Sequence, residues 1–258
     1  MTAPSRRFEV RMHARPPRVE KTGDAAALGR EAAALALVAG RPWAPRLIEA
    51  APGRLVTAPV AGGPRPGAAV GEADAGRLGA VLREVHETRR APAGGMWWRA
   101  LPDRSLAQYR AGRVADAEAR LAGTAWAGVA RAAAAAIPGR RPGRDGAPFR
   151  LLHGDLVAPN LLWPPDGPVL IDWEFWRMGD PAEDLAYLAE VGGLPAASAA
   201  TAVEAYGVPG MARRVDRWRG LVCADAGGWY LREGMAAEAA PLLARARSHA
   251  SGASSAPG

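Results

Sequence analysis

Apolar and polar positions alternate over residues 8–12, Phe-Glu-Val-Arg-Met, and a proline-rich turn then leads into a second extended segment at 18–22. This period of two predicts a β-hairpin. From 25 to 39 the period lengthens: Leu28, Ala32 and Leu35 share one face of an Ala-rich stretch that opens at Asp24 and closes at Gly40. A helix capped by Asp24 is expected there. Short runs at 46–49 and 54–57 flank the turn Ala-Ala-Pro-Gly and read as two further strands. The breaker-rich Ala-Gly-Gly-Pro-Arg-Pro-Gly at 61–67 marks a boundary between lobes.

Beyond that connector the apolar spacing is helical almost throughout. Helices are expected at 72–88, at 104–122 behind Asp103, and at 124–137, 182–191, 196–206, 211–232 and 236–249. The exceptions are a loop at 138–148 and two apolar runs, 161–163 and 169–172, that flank Pro164-Pro165-Asp166-Gly167 as a hairpin. The pattern is that of an α+β chain. It divides into a small β-rich lobe over 1–62, a larger helical lobe over 63–250 and a disordered tail over 251–258.

Composition narrows the classes. The single cysteine, Cys223, excludes a disulfide framework, and with only four histidines beside it a Cys/His zinc site is not expected. Cys223 itself reads as a buried, inert thiol. No apolar run reaches the roughly 18 residues that span a bilayer, and the start Met-Thr-Ala-Pro-Ser-Arg-Arg lacks a signal-peptide core. A cytoplasmic protein without a membrane partner is expected. The net charge of +7 invites a nucleic-acid reading, but the arginines are spread along the chain with no polybasic block and no basic stretch interleaved with aromatics, so no nucleic-acid partner is expected. The bias toward arginine carries more information: of 33 basic residues, Lys21 alone is lysine, and Asn160 is the only asparagine.

Chemistry concentrates in 151–188. Asp155 follows His153-Gly154, Asn160 stands five positions later, and Asp172 ends the apolar run from Val169 to Ile171. Phosphoryl transfer needs a group that positions or deprotonates the attacking hydroxyl, and hard oxygen ligands for Mg²⁺ on the nucleotide phosphates. A strand, a four-residue turn and a returning strand bring Asn160 and Asp172 to one end of a ribbon, where both oxygens can reach one metal.

His-Gly-Asp with Asn five residues on, then Ile171-Asp172-Trp173-Glu174, Gly179-Asp180-Pro181 and Asp184-Leu185-Ala186 together resemble the core of the aminoglycoside phosphotransferase and choline kinase-like family, relatives of the protein kinases. The resemblance implies a two-lobed protein-kinase-like fold and a small-molecule kinase that moves the γ-phosphate of ATP or GTP to a hydroxyl acceptor with Mg²⁺. It implies Asp155 as catalytic base, Asn160 and Asp172 as Mg²⁺ ligands, Asp184 as a brace for the catalytic loop and His153 as scaffold. Lys21, ten residues before Glu31, resembles the lysine that contacts the phosphates and pairs with a helix glutamate. Lysine is a compact point charge that arginine does not replace at a cramped phosphate site. The adenine edge is expected on the backbone from Thr57 to Val60.

The small lobe departs from the family. Only 20 residues precede Lys21 and none is glycine, so the first strand and the phosphate-covering loop are expected to be missing. That departure motivates a second reading, a degenerate kinase-like protein that binds nucleotide or a partner without efficient catalysis. Intact Asp155, Asn160 and Asp172 favour catalysis. Among the remaining residues, His86 reads as a packed core histidine, and Trp163 and Trp173 as core. Trp176 reads as core as well, with the acceptor wall as its alternative, Trp97-Trp98 as a lobe contact or substrate wall, and Glu174 as an outer carboxylate. Arg213, Arg214, Arg217 and Arg219 against Glu204, Asp216 and Asp225 point to a neutral or anionic acceptor.

Overall fold

The structure, a computed structural model, describes residues 8–88, 106–137 and 150–253. Strands β1 (Phe8–Ala14) and β2 (Pro17–Gly23) form the expected hairpin, with Phe8 opposite Gly23. Helix α1 (Ala25–Leu37) starts at Asp24, whose carboxylate accepts the amides of Ala26 and Ala27 at 2.8 and 3.1 Å. Two of the helix's orphan donors are thereby satisfied. Strands β3 (Leu47–Ala51) and β4 (Arg54–Thr57) complete an antiparallel sheet of order β1-β2-β4-β3. Lys21 therefore lies on an inner strand, between Val10 and Leu55. Among the described residues one strand precedes it, and the β1–β2 turn, Arg15-Pro16, contains no glycine.

The larger lobe is built from α2 (Glu72–His86), α3 (Leu106–Leu121), α4 (Val129–Ala134), α5 (Pro181–Glu190), α6 (Ala196–Ala205), α7 (Met211–Arg232) and α8 (Ala236–Ala253). Helix α7 runs through its centre because its small residues admit close neighbours. A Cβ on Gly227 would stand 2.7 Å from Leu243 of α8, one on Gly228 3.0 Å from Cβ of Arg120 of α3, and one on Gly220 2.9 Å from Ala133 of α4. Two short ribbons sit between the helices: β5 (Arg150–Leu152) with β8 (Arg177–Gly179), and β6 (Leu161–Leu162) with β7 (Val169–Leu170). The whole is a two-lobed α+β architecture, a small sheet lobe beside a larger helical one.

Three sequence expectations change. Residues 124–128 are turn rather than helix. The Thr124 hydroxyl donates to the Leu121 carbonyl at 2.7 Å and accepts the Trp126 amide at 3.1 Å, and Gly128 has φ 84°, so the helix starts only at Val129. Side-chain bonds of this kind compete with the helical ladder. The tail drawn from 251 is helical as far as Ala253, with the Ser251 hydroxyl bonded back to the Arg247 carbonyl at 3.1 Å. The β5–β8 ribbon was not anticipated at all. Residues 254–258, the Asp103 cap, Trp97-Trp98 and the 138–148 loop lie outside the described residues.

Candidate active site

The two ribbons carry the catalytic segments. The Ile171 amide bonds the Asn160 carbonyl at 3.0 Å, one step beyond the Leu161–Leu170 pair, which puts Asn160 and Asp172 at the same end of β6–β7. Asp172 adopts φ 63°, ψ 64°, the only positive φ among described non-glycine residues. Strain of this kind persists where surrounding contacts over-determine it, and it concentrates at functional sites.

His153-Gly154-Asp155 leaves β5 and is braced from α5. The Asp184 carboxylate, fully buried, accepts the amides of His153 at 2.7 Å and Gly154 at 3.0 Å, and faces His86 Nε2 at 3.2 Å. Burial alone would raise its pKa, but the His86 hydrogen bond and the neighbouring positive charge hold it below the ordinary carboxylate value. His86 is itself buried, with Nδ1 3.1 Å from the Tyr206 hydroxyl. Burial lowers the pKa of His153, which is therefore neutral. Its Nε2–H donates to the Ile171 carbonyl at 2.9 Å, leaving Nδ1 to accept the Asp155 amide at 3.3 Å. His153 thus ties the catalytic loop to the end of β7. Gly154, at φ 84°, admits no side chain, since a Cβ would fall 2.3 Å from the Phe175 carbonyl oxygen.

Both oxygens of Asp155 are held. Tyr187 donates its hydroxyl to Oδ1 at 3.0 Å, and Asn160 Nδ2 donates to Oδ2 at 2.9 Å and to the Asp155 carbonyl at 3.0 Å. Burial raises the Asp155 pKa and makes it a stronger base than a free carboxylate, while the electrostatic influence of the neighbouring His153 ring and the Tyr187 and Asn160 bonds oppose that rise. Burial also keeps Tyr187 protonated, its pKa well above the ordinary value. Sequence reasoning missed Tyr187. The available signal was its position three residues after Asp184, on the same helix face. Tyr187→Phe is expected to move the acid limb of the kcat/KM profile up by about one pH unit, the size of one hydrogen bond to a charged group, without changing nucleotide KM. An unchanged pH profile would show that Tyr187 does not set the basicity of Asp155.

Across the lobe junction, Lys21 Nζ donates to Glu31 Oε2 and to Asp172 Oδ1, both at 2.8 Å, beneath the Phe8 ring at 4.2 Å. Burial works against its charge, but the two carboxylates outweigh burial and raise its pKa, so the side chain is an ammonium. Alongside, Arg30 Nε donates to the Glu174 carbonyl at 3.1 Å and Trp176 Nε1 to the Arg30 carbonyl at 2.8 Å, pinning α1 to the segment after Asp172. Trp176 is thus used between the lobes, and Phe175 rather than Trp176 lines the cavity beside Asp155. Asp155 with Asn160, and Lys21 with Glu31 and Asp172, form two hydrogen-bonded clusters, brought side by side by the end of the β6–β7 ribbon. Thr57 and Val60 make no hydrogen bond to either. They lie on the segment joining the lobes, where the Ala58 amide is spent on the Arg46 carbonyl at 2.9 Å and Pro59 has none, which leaves the Val60 amide.

The donor set suits a hard cation. With Nδ2 committed to Asp155, Asn160 keeps Oδ1 as an acceptor, and Asp172 gives one oxygen to Lys21 and keeps the other. Among the described residues one His/Cys/acid trio, Glu190, Cys223 and His249, is close enough to share an ion. There the Glu190 carboxylate already binds Arg219 at 2.9 Å and Arg245 at 3.0 Å, and burial pushes the Cys223 thiol up to about 12. That cluster is an ion-pair knot with an unreactive thiol.

A cavity of about 250 Å³ opens beside Asp155. Helix α3 contributes Arg113 and Arg120, α7 contributes Asp225, Trp229 and Tyr230, and Phe175, Arg177 and Tyr187 complete much of the wall. Of the arginines singled out from the sequence, Arg214 instead binds Asp180 and Arg219 binds Glu190. Behind the wall, Glu183 accepts from the Tyr109 hydroxyl and from Arg113 and Arg177, each guanidinium at 2.7 Å.

A small antiparallel sheet whose lysine pairs with a glutamate of the adjoining helix α1, set against a helical lobe with a braced His-Gly-Asp loop, defines the class of protein-kinase-like phosphotransferases. Residues 4–217 match the model of the phosphotransferase enzyme family, and the chain belongs to that family. Its fold is that of a choline kinase from Streptococcus pneumoniae, with TM-score 0.72 at 15% identity over 98% of this chain and 92% of that one. It is similarly like a choline/ethanolamine kinase family protein from Mesorhizobium loti, with TM-score 0.63 at 20% identity over 92% and 86%. A macrolide 2'-phosphotransferase from Brachybacterium faecium gives TM-score 0.61 at 22% identity over 98% and 90%. No curated protein matches the sequence.

Proposed function

We propose that this protein is a cytoplasmic small-molecule kinase that transfers the γ-phosphoryl group of ATP or GTP to a hydroxyl of its acceptor. The observation that carries this reading is the placement of Asn160 and Asp172 at one end of the β6–β7 ribbon, with Asn160 hydrogen-bonded to Asp155 and Asp172 to Lys21, which also pairs with Glu31. Asp155 takes the acceptor's hydroxyl proton as the new O–P bond forms. The bond from the γ-phosphorus to its bridging oxygen breaks, and the nucleoside diphosphate leaves with that electron pair. Lys21, oriented by Glu31, offers its ammonium to the α- and β-phosphates, and the segment from Thr57 to Val60 receives the adenine edge through the Val60 amide. Mg²⁺ held by Asn160 and Asp172 would neutralise charge on the phosphates.

The competing reading, a relative that binds nucleotide without efficient catalysis, draws on the glycine-free β1–β2 turn. Backbone amides over the phosphates contribute positioning that such a turn does not supply. A supported base is of no use to a protein that only binds, and Asp155 is supported by Tyr187, Asn160, His153 and, through the loop, Asp184. Calorimetry with ATP and GTP at millimolar concentration is expected to show binding that requires Mg²⁺. It should be matched by thermal stabilisation of about 2.7 kcal/mol at a hundredfold excess over Kd. Absence of any Mg²⁺-dependent heat with both nucleotides removes the kinase reading. Binding without nucleotide consumption across a library of hydroxyl compounds selects the non-catalytic one.

A further inference from the structure

The acceptor cavity has an unusual balance of charge for its size. Its wall carries three guanidinium groups, Arg113, Arg120 and Arg177, against two carboxylates, Asp155 and Asp225. Neither carboxylate of the wall is left without a partner to receive an ammonium group. Asp225 is bound by Arg113 at 2.9 Å and also by Arg120, and Glu183 behind the wall is bound by Arg113 and Arg177. Asp155 is occupied by Tyr187 and Asn160. The arginines are not equally spent. Arg113 and Arg177 are held from several sides, whereas Arg120 gives Asp225 one nitrogen and stays 30% exposed. Its remaining N–H groups are the cavity's available donors. The same cavity is lined by Trp229 and Phe175, each 37% exposed, two of the few large apolar side chains that the described surface leaves open.

Resting on the kinase reading, we infer that the acceptor is a small anionic hydroxyl compound. Its oxyanion, a carboxylate or a phosphate, pairs with Arg120, its apolar face lies on Trp229, and its hydroxyl reaches Asp155. A polycation would find no wall carboxylate without a partner, and Arg120, the guanidinium with N–H groups to spare, would repel it. Stacking on an aromatic ring is worth about 0.5–2 kcal/mol to a cation, too little to offset that repulsion. For an oxyanion the same wall supplies charge-assisted hydrogen bonds, and the planar guanidinium matches it in two-point geometry.

The test uses the full chain saturated with Mg²⁺-nucleotide and sets of compounds that differ in one substituent. One set is glycerate, glycerol and serinol, and another is D-glucuronate, D-glucose and D-glucosamine. Glycerol 3-phosphate and D-glucose 6-phosphate separate a phosphate from a carboxylate as the anion. Binding is read from quenching of tryptophan fluorescence and transfer from nucleotide consumption. At least one anion is expected to bind tenfold or more tightly than its neutral and cationic counterparts. Arg120→Gln should abolish that preference while leaving nucleotide affinity unchanged. Trp229→Ala, at an exposed position, is a second variant that should weaken the anion without disturbing the fold. Equal or tighter binding of the cationic members, no response to any anion in the millimolar range, or retention of the preference in Arg120→Gln overturns the inference. Normal Mg²⁺-nucleotide calorimetry alongside any of these results leaves the kinase reading standing, whereas its failure removes both.

Discussion

Replacing Asp155 by alanine is expected to lower turnover by about 10²- to 10⁴-fold while Mg²⁺-nucleotide affinity stays within a factor of about two. The separation follows from the contacts. Asp155 touches Tyr187 and Asn160, whereas Lys21, assigned to the phosphates, is held from the other side by Glu31 and Asp172. Deleting the carboxylate removes the proton acceptor and frees Asn160 Nδ2, but it leaves the Asp155 carbonyl as a partner for that same nitrogen. Single-turnover transfer beside nucleotide titration measures both quantities. A collapse of nucleotide affinity would mean that Asp155 serves the phosphates and not the acceptor hydroxyl.

Asp184→Ala is expected to cost about 3–5 kcal/mol of stability, a large part of what a domain possesses. Three buried groups, the His153 and Gly154 amides and His86 Nε2, would lose one shared acceptor, and each unsatisfied donor costs about 1–3 kcal/mol. Urea denaturation checks the size. The pH dependence checks the cause. A carboxylate whose folded pKa is depressed contributes stability that is fully present above its unfolded value, near 4, and is lost as pH falls through the folded value. The wild type should therefore lose stability below about pH 4, and the alanine variant should lose less over the same range. Parallel pH curves for the two proteins would assign the loss to packing rather than to charge.

The spacing of Asp155, Asn160 and Asp172 was readable because a short hairpin translates sequence distance directly into space. Lys21 and Glu31 were readable because a strand followed at once by a helix leaves few ways to bring them together. The β5–β8 ribbon was not. Each strand has three residues, too few to show alternation, and the partners meet only because the chain returns from Leu152 to Arg177 through both hairpin strands. The acceptor wall was hidden for another reason. Arg113 is one of several arginines along α3 and reads as solvated, yet its partners Glu183 and Asp225 stand 70 and 112 residues later. Nothing local distinguishes it from the arginines that do face water. The C-terminal arginines suggested a non-cationic acceptor, but the structure supplies that charge from α3 and from Arg177.

The clasp on Lys21 also sets the covalent chemistry of the surface. Every other basic side chain that is not histidine is arginine, so amine-directed reagents meet one side-chain amine in the whole chain. That amine is 13% exposed, clasped by two carboxylates and held protonated, and it is therefore a poor nucleophile. Acylating reagents at neutral pH are left with the α-amino group as the reactive position. Any acylation found at Lys21 thus reports that the Glu31–Asp172 clasp has opened.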